Sequence, residues 1–328
     1  MRRFLAGLGC TVLVAAAALA GCGSGNSSNG AAGSGGASGG SGGSGGTHQD
    51  GGGGSGGVPS PFEQFAKLAD AATGVAFGKD NNGDTVLYVS LGASDQVVKV
   101  TAQGAVGTLA SVPAAAGIAL EANGDLLVCG RAPGGTNGVL WNVKPDGSKT
   151  SFVTDSTFET LLAVAVAPDD RVVFSDATKV YGVDSAGSVG SIIIITGQAT
   201  DPTALAFSKD GTELYVGSGD TGDISSVPRS PAIGNYSNNV TKLSSGLGGL
   251  SALVVLESTD LVALSSGGVY QMKRDGSGRT NLASPAGLTA PVGAARGIDT
   301  FGDYLYLGNG KSVVRLPFTD TALSLPVR

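Results

Sequence analysis

The sequence predicts an all-β chain, and three observations carry that reading. First, one hairpin recurs: Pro202–Gly217, PTALAFSKDGTELYVG, joins a short apolar run, an Asp-Gly turn and a second run containing Leu-Tyr-Val. Variants start at Gly74, Gly117, Ala163, Ala204, Ala252 and Gly297, a period of about 41–49 residues that marks repeated units. Second, each hairpin is followed by a third and a fourth β-rich run, so one unit holds four strands. Third, no segment shows convincing helical periodicity, which leaves a βαβ arrangement without its crossovers. Six four-stranded antiparallel units in one chain predict a six-bladed β-propeller. Ring closure also spares a Gly-rich chain long exposed sheet edges.

Taken in order, residues 1–21 read as an export signal. Arg2 and Arg3 supply the positive end, and Phe4–Ala20 an apolar run too short and Ala-rich for a spanning helix. The run closes on Leu19-Ala20-Gly21-Cys22, which resembles the lipobox of bacterial lipoproteins. The resemblance implies that Cys22 is diacylated, becomes the mature N-terminus and anchors the chain to the cell-envelope membrane. An ordinary secretory signal cleaved nearby is the alternative. Gly23 offers no inner-membrane retention Asp, which favours the outer membrane where the cell has one. The remainder of 22–58 is a Gly/Ser-rich linker with almost nothing apolar to bury, so ordering its backbone would go uncompensated. As a flexible tether it reaches roughly 30–35 Å, from about 5–6 Å × √n. His48, the chain's one histidine, lies in this linker.

The propeller domain is expected over 59–328. Asn82-Gly83, Asn123-Gly124 and Asp210-Gly211 are hairpin turns of the kind that need positive φ. Third strands are read at Val97–Val100, Val139–Val143, Val180–Val183, Val269–Met272 and Val313–Leu316, with a degenerate one near Ile224–Val227. Phe65-Ala66-Lys67-Leu68 precedes the first unit and is expected to be the outer strand of the last blade, closing the ring. Thr321–Val327 competes for that place. Arg229–Val240 is expected to be an exposed insertion of blade four.

Apolar–Ala–apolar, then Asp/Asn-Gly, Leu-Tyr-Val and Val-Tyr-x-Val-Asp-x-x-Gly is a pattern similar to SMP-30/gluconolactonase-like and NHL-type propellers. Its best stretches are Pro202–Gly217 and Arg171–Gly187, and it spans about Phe62–Arg328. The resemblance implies a divalent metal, calcium or zinc, held at the channel mouth by Glu, Asn and Asp side chains, and hydrolysis of lactones or esters. The Glu and Asn precede the inner strands, where this chain has Thr73, Ala116, Leu162, Thr203, Ser251 and Arg296. None is a carboxylate or an amide. After the second strands, Asp176 alone matches the family's Asp, and a hard cation needs several oxygens. Asp176 is therefore a metal candidate without partners.

Other chemistry is bounded by what is missing. A nucleophilic triad needs a base, and histidine-ligated zinc or haem needs His; the propeller has none. Asp80-Asn81-Asn82-Gly83-Asp84 resembles a calcium loop, but Leu91 stands where the bidentate Glu belongs, so a plain hairpin turn is expected. Ser218–Asp223, with Asp220 and Asp223, is expected on the same face as Asp176. Glu159, Asp176, Asp201 and Asp220 are placed there too, either as surface charge or as paired carboxylates. Arg296 is placed at the start of the sixth inner strand, toward the channel, where it could meet an anion. Cys129 reads as a buried structural thiol, and Trp141 and Tyr181 as packing between blades.

The formal charge of −6 argues against nucleic acid as a partner. The expectation is a lipid-anchored, monomeric envelope propeller that binds an envelope protein or polysaccharide without catalysis and without a cofactor. A divergent metal-dependent lactonase or esterase, using calcium or zinc, is the alternative.

Overall fold

The computed structural model describes residues 60–183, 189–193, 201–229, 240–256, 258, 260–288, 291–297 and 304–318, with backbone alone for 189–193 and 291–297. The leader, Cys22, the linker, most of the blade-four insertion and Thr321–Val327 lie outside these residues. The described residues form 24 strands and no helix. Strand β1 (Glu63–Lys67) comes first. Blade 1 is β2 (Ala72–Lys79), β3 (Thr85–Leu91), β4 (Gln96–Val100) and β5 (Val106–Ser111). Blade 2 is β6 (Ile118–Leu120), β7 (Leu126–Arg131), β8 (Gly138–Val143) and β9 (Lys149–Thr154). Blade 3 is β10 (Ala163–Val166), β11 (Val172–Ser175), β12 (Val180–Val183) and β13 (Val189–Ile193). Blade 4 is β14 (Pro202–Phe207), β15 (Glu213–Ser218), β16 (Ile224–Pro228) and β17 (Thr241–Ser244). Blade 5 is β18 (Leu250–Val255), β19 (Leu261–Ser265), β20 (Gly268–Met272) and β21 (Thr280–Ala283). Blade 6 takes β22 (Pro291–Gly297), β23 (Tyr304–Asn309), β24 (Ser312–Pro317) and, last, β1.

All six sheets are antiparallel with neighbouring strands paired. The inner strands touch around a ring in the order β2, β6, β10, β14, β18, β22 and back to β2. Closure follows the expectation: Glu63 pairs Arg315, Lys67 pairs Ser312, and Leu68 N–H donates to the Lys311 carbonyl at 2.9 Å. The first strand thus completes the last blade.

The core is divided among the blade junctions, with one buried cluster between each pair of neighbouring blades. Second strands are sealed on both faces, which is why β7 (LLVCGR) and β19 (LVALS) read as continuous apolar runs. Outer strands such as β5 and β9 are mostly exposed and carry fewer apolar residues. In the Leu-Tyr-Val motif, and in Leu305-Tyr306-Leu307 of blade 6, the tyrosine points to the following blade: Tyr88 packs with blade 2, Tyr215 with blade 5 and Tyr306 with blade 1. Phe77 meets Tyr306 edge-on across the closing junction, ring centroids 5.2 Å apart. Such a pair adds about 0.5–1.5 kcal/mol beyond its buried area.

Hairpin turns follow the sequence signals. Gly83, Gly124 and Gly211 all have positive φ, and Asp170 holds the same conformation at 64°. The suspected calcium loop is a hairpin turn. Asp80 Oδ1 accepts from the N–H groups of Asn82 (2.9 Å) and Asp84 (3.2 Å), and its Oδ2 pairs with Lys99 Nζ at 3.1 Å.

Candidate functional site

Inner strands begin and second strands end on one face of the ring, here the upper face. Blades 1, 4, 5 and 6 bulge there, at Thr73, Thr203, Ser251 and Gly293. The register of blade 6 corrects one expectation. Pro291 pairs Asn309 and Arg296 pairs Leu305, so Arg296 is next to last in its strand and belongs to the lower end. Gly293, not Arg296, holds the position equivalent to Thr203. Gly297-Ile298-Asp299-Thr300 imitates a strand start, but β23 begins pairing at Gly297↔Tyr304, so the inner strand ends there.

Where the lactonase resemblance implies carboxylate and amide ligands, the side chains here tie blade to blade. Thr73 Oγ1 donates to the Ala115 carbonyl at 2.7 Å, from blade 1 to the approach of blade 2. Thr203 Oγ1 donates to Leu250 O at 2.5 Å, from blade 4 to blade 5. Ser90 Oγ donates to Ala116 O, and Ser175 Oγ to Pro202 O at 2.6 Å. These hydroxyls satisfy buried carbonyls that would otherwise be costly to leave unpaired.

Asp176 is buried, and both of its oxygens are used. Oδ1 accepts from Thr178 N–H (2.8 Å), Thr178 Oγ1 (2.9 Å) and Lys179 N–H (2.8 Å); Oδ2 accepts from Tyr181 Oη at 2.6 Å. Burial pushes this carboxyl up, but the hydrogen bonds from Tyr181, Thr178 and Lys179 outweigh it and hold it below the ordinary 3.8. Tyr181 is driven up by burial and by the same carboxylate. Its ring stacks on Phe174 at 5.1 Å and meets Phe158, so it packs at the junction of blades 2 and 3 as its sequence position suggested. Asp176 caps the turn between β11 and β12.

Asp223 is likewise engaged, pairing through Oδ2 with Lys242 Nζ at 2.5 Å. Asp220 is exposed in the turn closed by Gly222 N–H to Ser218 O (3.1 Å) and Ser218 N–H to Asp223 O (2.9 Å). Asp201 lies beside it: Gly219 N–H donates to the Asp201 carbonyl at 2.8 Å, and burial and the Asp220 charge both push its carboxyl up. Of the four carboxylates grouped from the sequence, the structure brings Asp201 and Asp220 together and withdraws Asp176. Glu159 is exposed in the segment between blades 2 and 3. Cys129 is fully buried, and burial raises its thiol well above the ordinary value.

These residues do not fit the metal that the resemblance implies. Among the described residues no three His, Cys, Asp or Glu side chains converge to hold an ion. The equivalent positions carry hydroxyls, Ala116, Leu162 or Gly293, and the one matching Asp has four donors on it.

One upper-face group drew no attention in the sequence as a site. Arg131 ends β7, and its Nη2 donates to Thr160 Oγ1 at 2.7 Å in the segment leading to blade 3. Its Nε is sealed from solvent and has no partner. A spacing of 29 residues between Arg131 and Thr160 gives no local signal that would pair them.

No family model and no curated protein sequence matches this chain. Solved structures do. A gluconolactonase from Xanthomonas campestris is 19% identical and superposes with a TM-score of 0.66, over 79% of this chain and 89% of its own. An auxiliary nutrient-binding protein from Bacteroides ovatus is 14% identical, TM-score 0.62, over 77% and 75%. A virginiamycin B lyase from Staphylococcus aureus is 11% identical, TM-score 0.53, over 79% and 99%. A hydrolase, a binding protein and a lyase share these strands, so the likeness fixes the propeller and leaves the chemistry to the site.

Proposed function

We propose that this chain is a lipid-anchored propeller of the bacterial cell envelope that binds a partner, an envelope protein or a polysaccharide, without catalysis. The observation that supports it is the fate of the lactonase positions. Thr73 and Thr203 spend their hydroxyls on the next blade, and Asp176 spends its carboxylate on a turn. A catalytic metal site requires carboxylate oxygens free to face the ion, whereas here hydroxyls bridge the blades and the one carboxylate is spent on its own turn.

Two experiments test the reading. Thermal unfolding of Val58–Arg328 is expected to have the same midpoint with EDTA, calcium or zinc, and the protein is expected to leave a panel of lactones intact. A metal held at 100 times its dissociation constant would add about 2.7 kcal/mol. A metal-specific rise together with lactone turnover would sink the binding reading in favour of the lactonase. For the anchor, Cys22→Ser is expected to move the protein from the membrane to the soluble fraction. Retention of that variant in the membrane would refute lipid attachment at Cys22. More than one acyl chain is needed for durable anchoring, at about 0.8 kcal/mol per buried methylene.

A further inference from the structure

We propose that Arg131, held by Thr160, is the anchor for a carboxylate group of the bound ligand, on the upper face at the junction of blades 2 and 3. The proposal rests on the binding reading above and gives it a ligand chemistry. A guanidinium stays charged at any ordinary pH, so once drawn from water it needs an anion or full hydrogen bonding. Among the described residues Arg171 and Arg229 pair with Asp169, Arg274 with Glu213, and Arg315 with Glu63. Arg279 has no carboxylate but is exposed to water, and it donates to the Ser245 carbonyl. Arg131 is different. It is half-buried, has no carboxylate, and makes one side-chain hydrogen bond, to a neutral hydroxyl. Its Nε–H is sealed and has no partner, so the charge can be met only at the outer edge of the guanidinium, at Nη1 and the second N–H of Nη2.

The surroundings are open to solvent and disfavour a double charge more than a single one. The loop over Arg131, residues 132–137, is the longest of those joining a second strand to a third, and Pro133–Asn137 are exposed. The neighbouring segment carries Asp155 and Glu159, both exposed, so a doubly charged phosphate would meet more repulsion than a carboxylate. A carboxylate also matches the outer edge of the guanidinium, with parallel hydrogen bonds from Nη1 and the second N–H of Nη2. The group could belong to an acidic sugar of a polysaccharide or to the C-terminus of a polypeptide, the two partners of that reading.

The chain supplies its own reporter. Trp141 is the one tryptophan, and its Nε1 donates to the Arg131 carbonyl at 3.3 Å. That bond is to the main chain and survives a side-chain change at 131. The experiment is titration of the full chain, in detergent, with acetate, with a short peptide bearing a free C-terminus and with the same peptide amidated. Trp141 emission is read at constant ionic strength against chloride and inorganic phosphate. The expected result is a saturable change with acetate or the free peptide, and none with chloride, phosphate or the amidated peptide. Response to acetate alone assigns an isolated carboxylate such as that of an acidic sugar; response to the peptide alone assigns a chain end. Arg131→Gln is expected to weaken binding about tenfold or more, and Arg131→Lys to recover part of it, because a lysine keeps charge without the fork. Thermal unfolding of both variants checks that they fold, and Arg131→Lys carries the test if Arg131→Gln does not. Absence of any saturable response, an equal response in both variants and the parent, or equal binding of phosphate would overturn the proposal. Lactone turnover, measured on the same preparation, separates the two ideas: no turnover and no response overturns the carboxylate anchor alone, and turnover overturns the binding reading itself.

Discussion

Asp176→Ala is expected to lower the unfolding free energy by about 3 kcal/mol, because it strands several polar groups in the interior at once. Tyr181 loses the acceptor for its hydroxyl, and the N–H groups of Thr178 and Lys179 lose theirs. Tyr181 is also stacked on Phe174 at the blade 2–blade 3 junction, so a shift there reaches the core. Asp176→Asn keeps one acceptor oxygen and is expected to lose about half as much. The pH dependence has a definite sign. The folded carboxyl is held below 3.8, its ordinary value, so its stabilisation is fully present above that pH and is lost as pH falls below 3.8 toward the folded value. Urea unfolding of parent and variant at pH 7, and again between pH 5 and 2, reads both effects; the variant's acid limb should be the shallower. If Asp176→Ala unfolds like the parent at pH 7, the carboxylate is not a structural cap and is free for a ligand.

What the sequence could disclose follows from the range of each interaction. Hairpin turns were legible because their cause is local: Gly83, Gly124 and Gly211 sit where only a positive φ closes the turn. Second strands were legible because burial on both faces leaves an unbroken apolar run. Phe65–Leu68 could be assigned to the last blade because three strands there lacked a fourth, and β1 fills that place. Blade 6 misled because its inner strand, PVGAARG, is built of small residues, whereas the following Ile298-Asp299-Thr300 carries two β-branched side chains. Arg296 was misplaced with it. At the site, Asp176 had a readable local signature, with Thr178 two residues on and Tyr181 five. Its resemblance to a metal ligand drew attention away from that turn. The hydroxyl joints and the Arg131–Thr160 contact cross 26 to 47 residues, and no local pattern encodes them.

Gly276→Ala is expected to destabilise by about 3 kcal/mol or more, the sum of two separable effects. Gly276 has φ of 82°, where a β-carbon is strained by about 1–2 kcal/mol. A methyl there would also collide with the backbone carbonyl of Leu243, the bulged residue in the outer strand of blade 4, so that strand must shift to admit it. Gly83→Ala isolates the first effect, since its φ is 86° and nothing lies within 4 Å of the added carbon. The difference between the two losses, read by urea unfolding, is the contact between blades 4 and 5. The same contact recurs elsewhere: Gly147 abuts Leu109 of blade 1, and Gly104 abuts Phe65 of β1, the strand that closes the ring. Among the described residues the turns between third and fourth strands of blades 1, 2 and 5 are thus pressed against the outer strand of the blade before, where only glycine leaves room. Gly104→Ala should then loosen the closure itself, exposing β1 to proteolysis ahead of the other strands. Equal losses for Gly276→Ala and Gly83→Ala would mean that the outer strands yield to a methyl. In that case the ring is held by its inner junctions and hydroxyl joints alone.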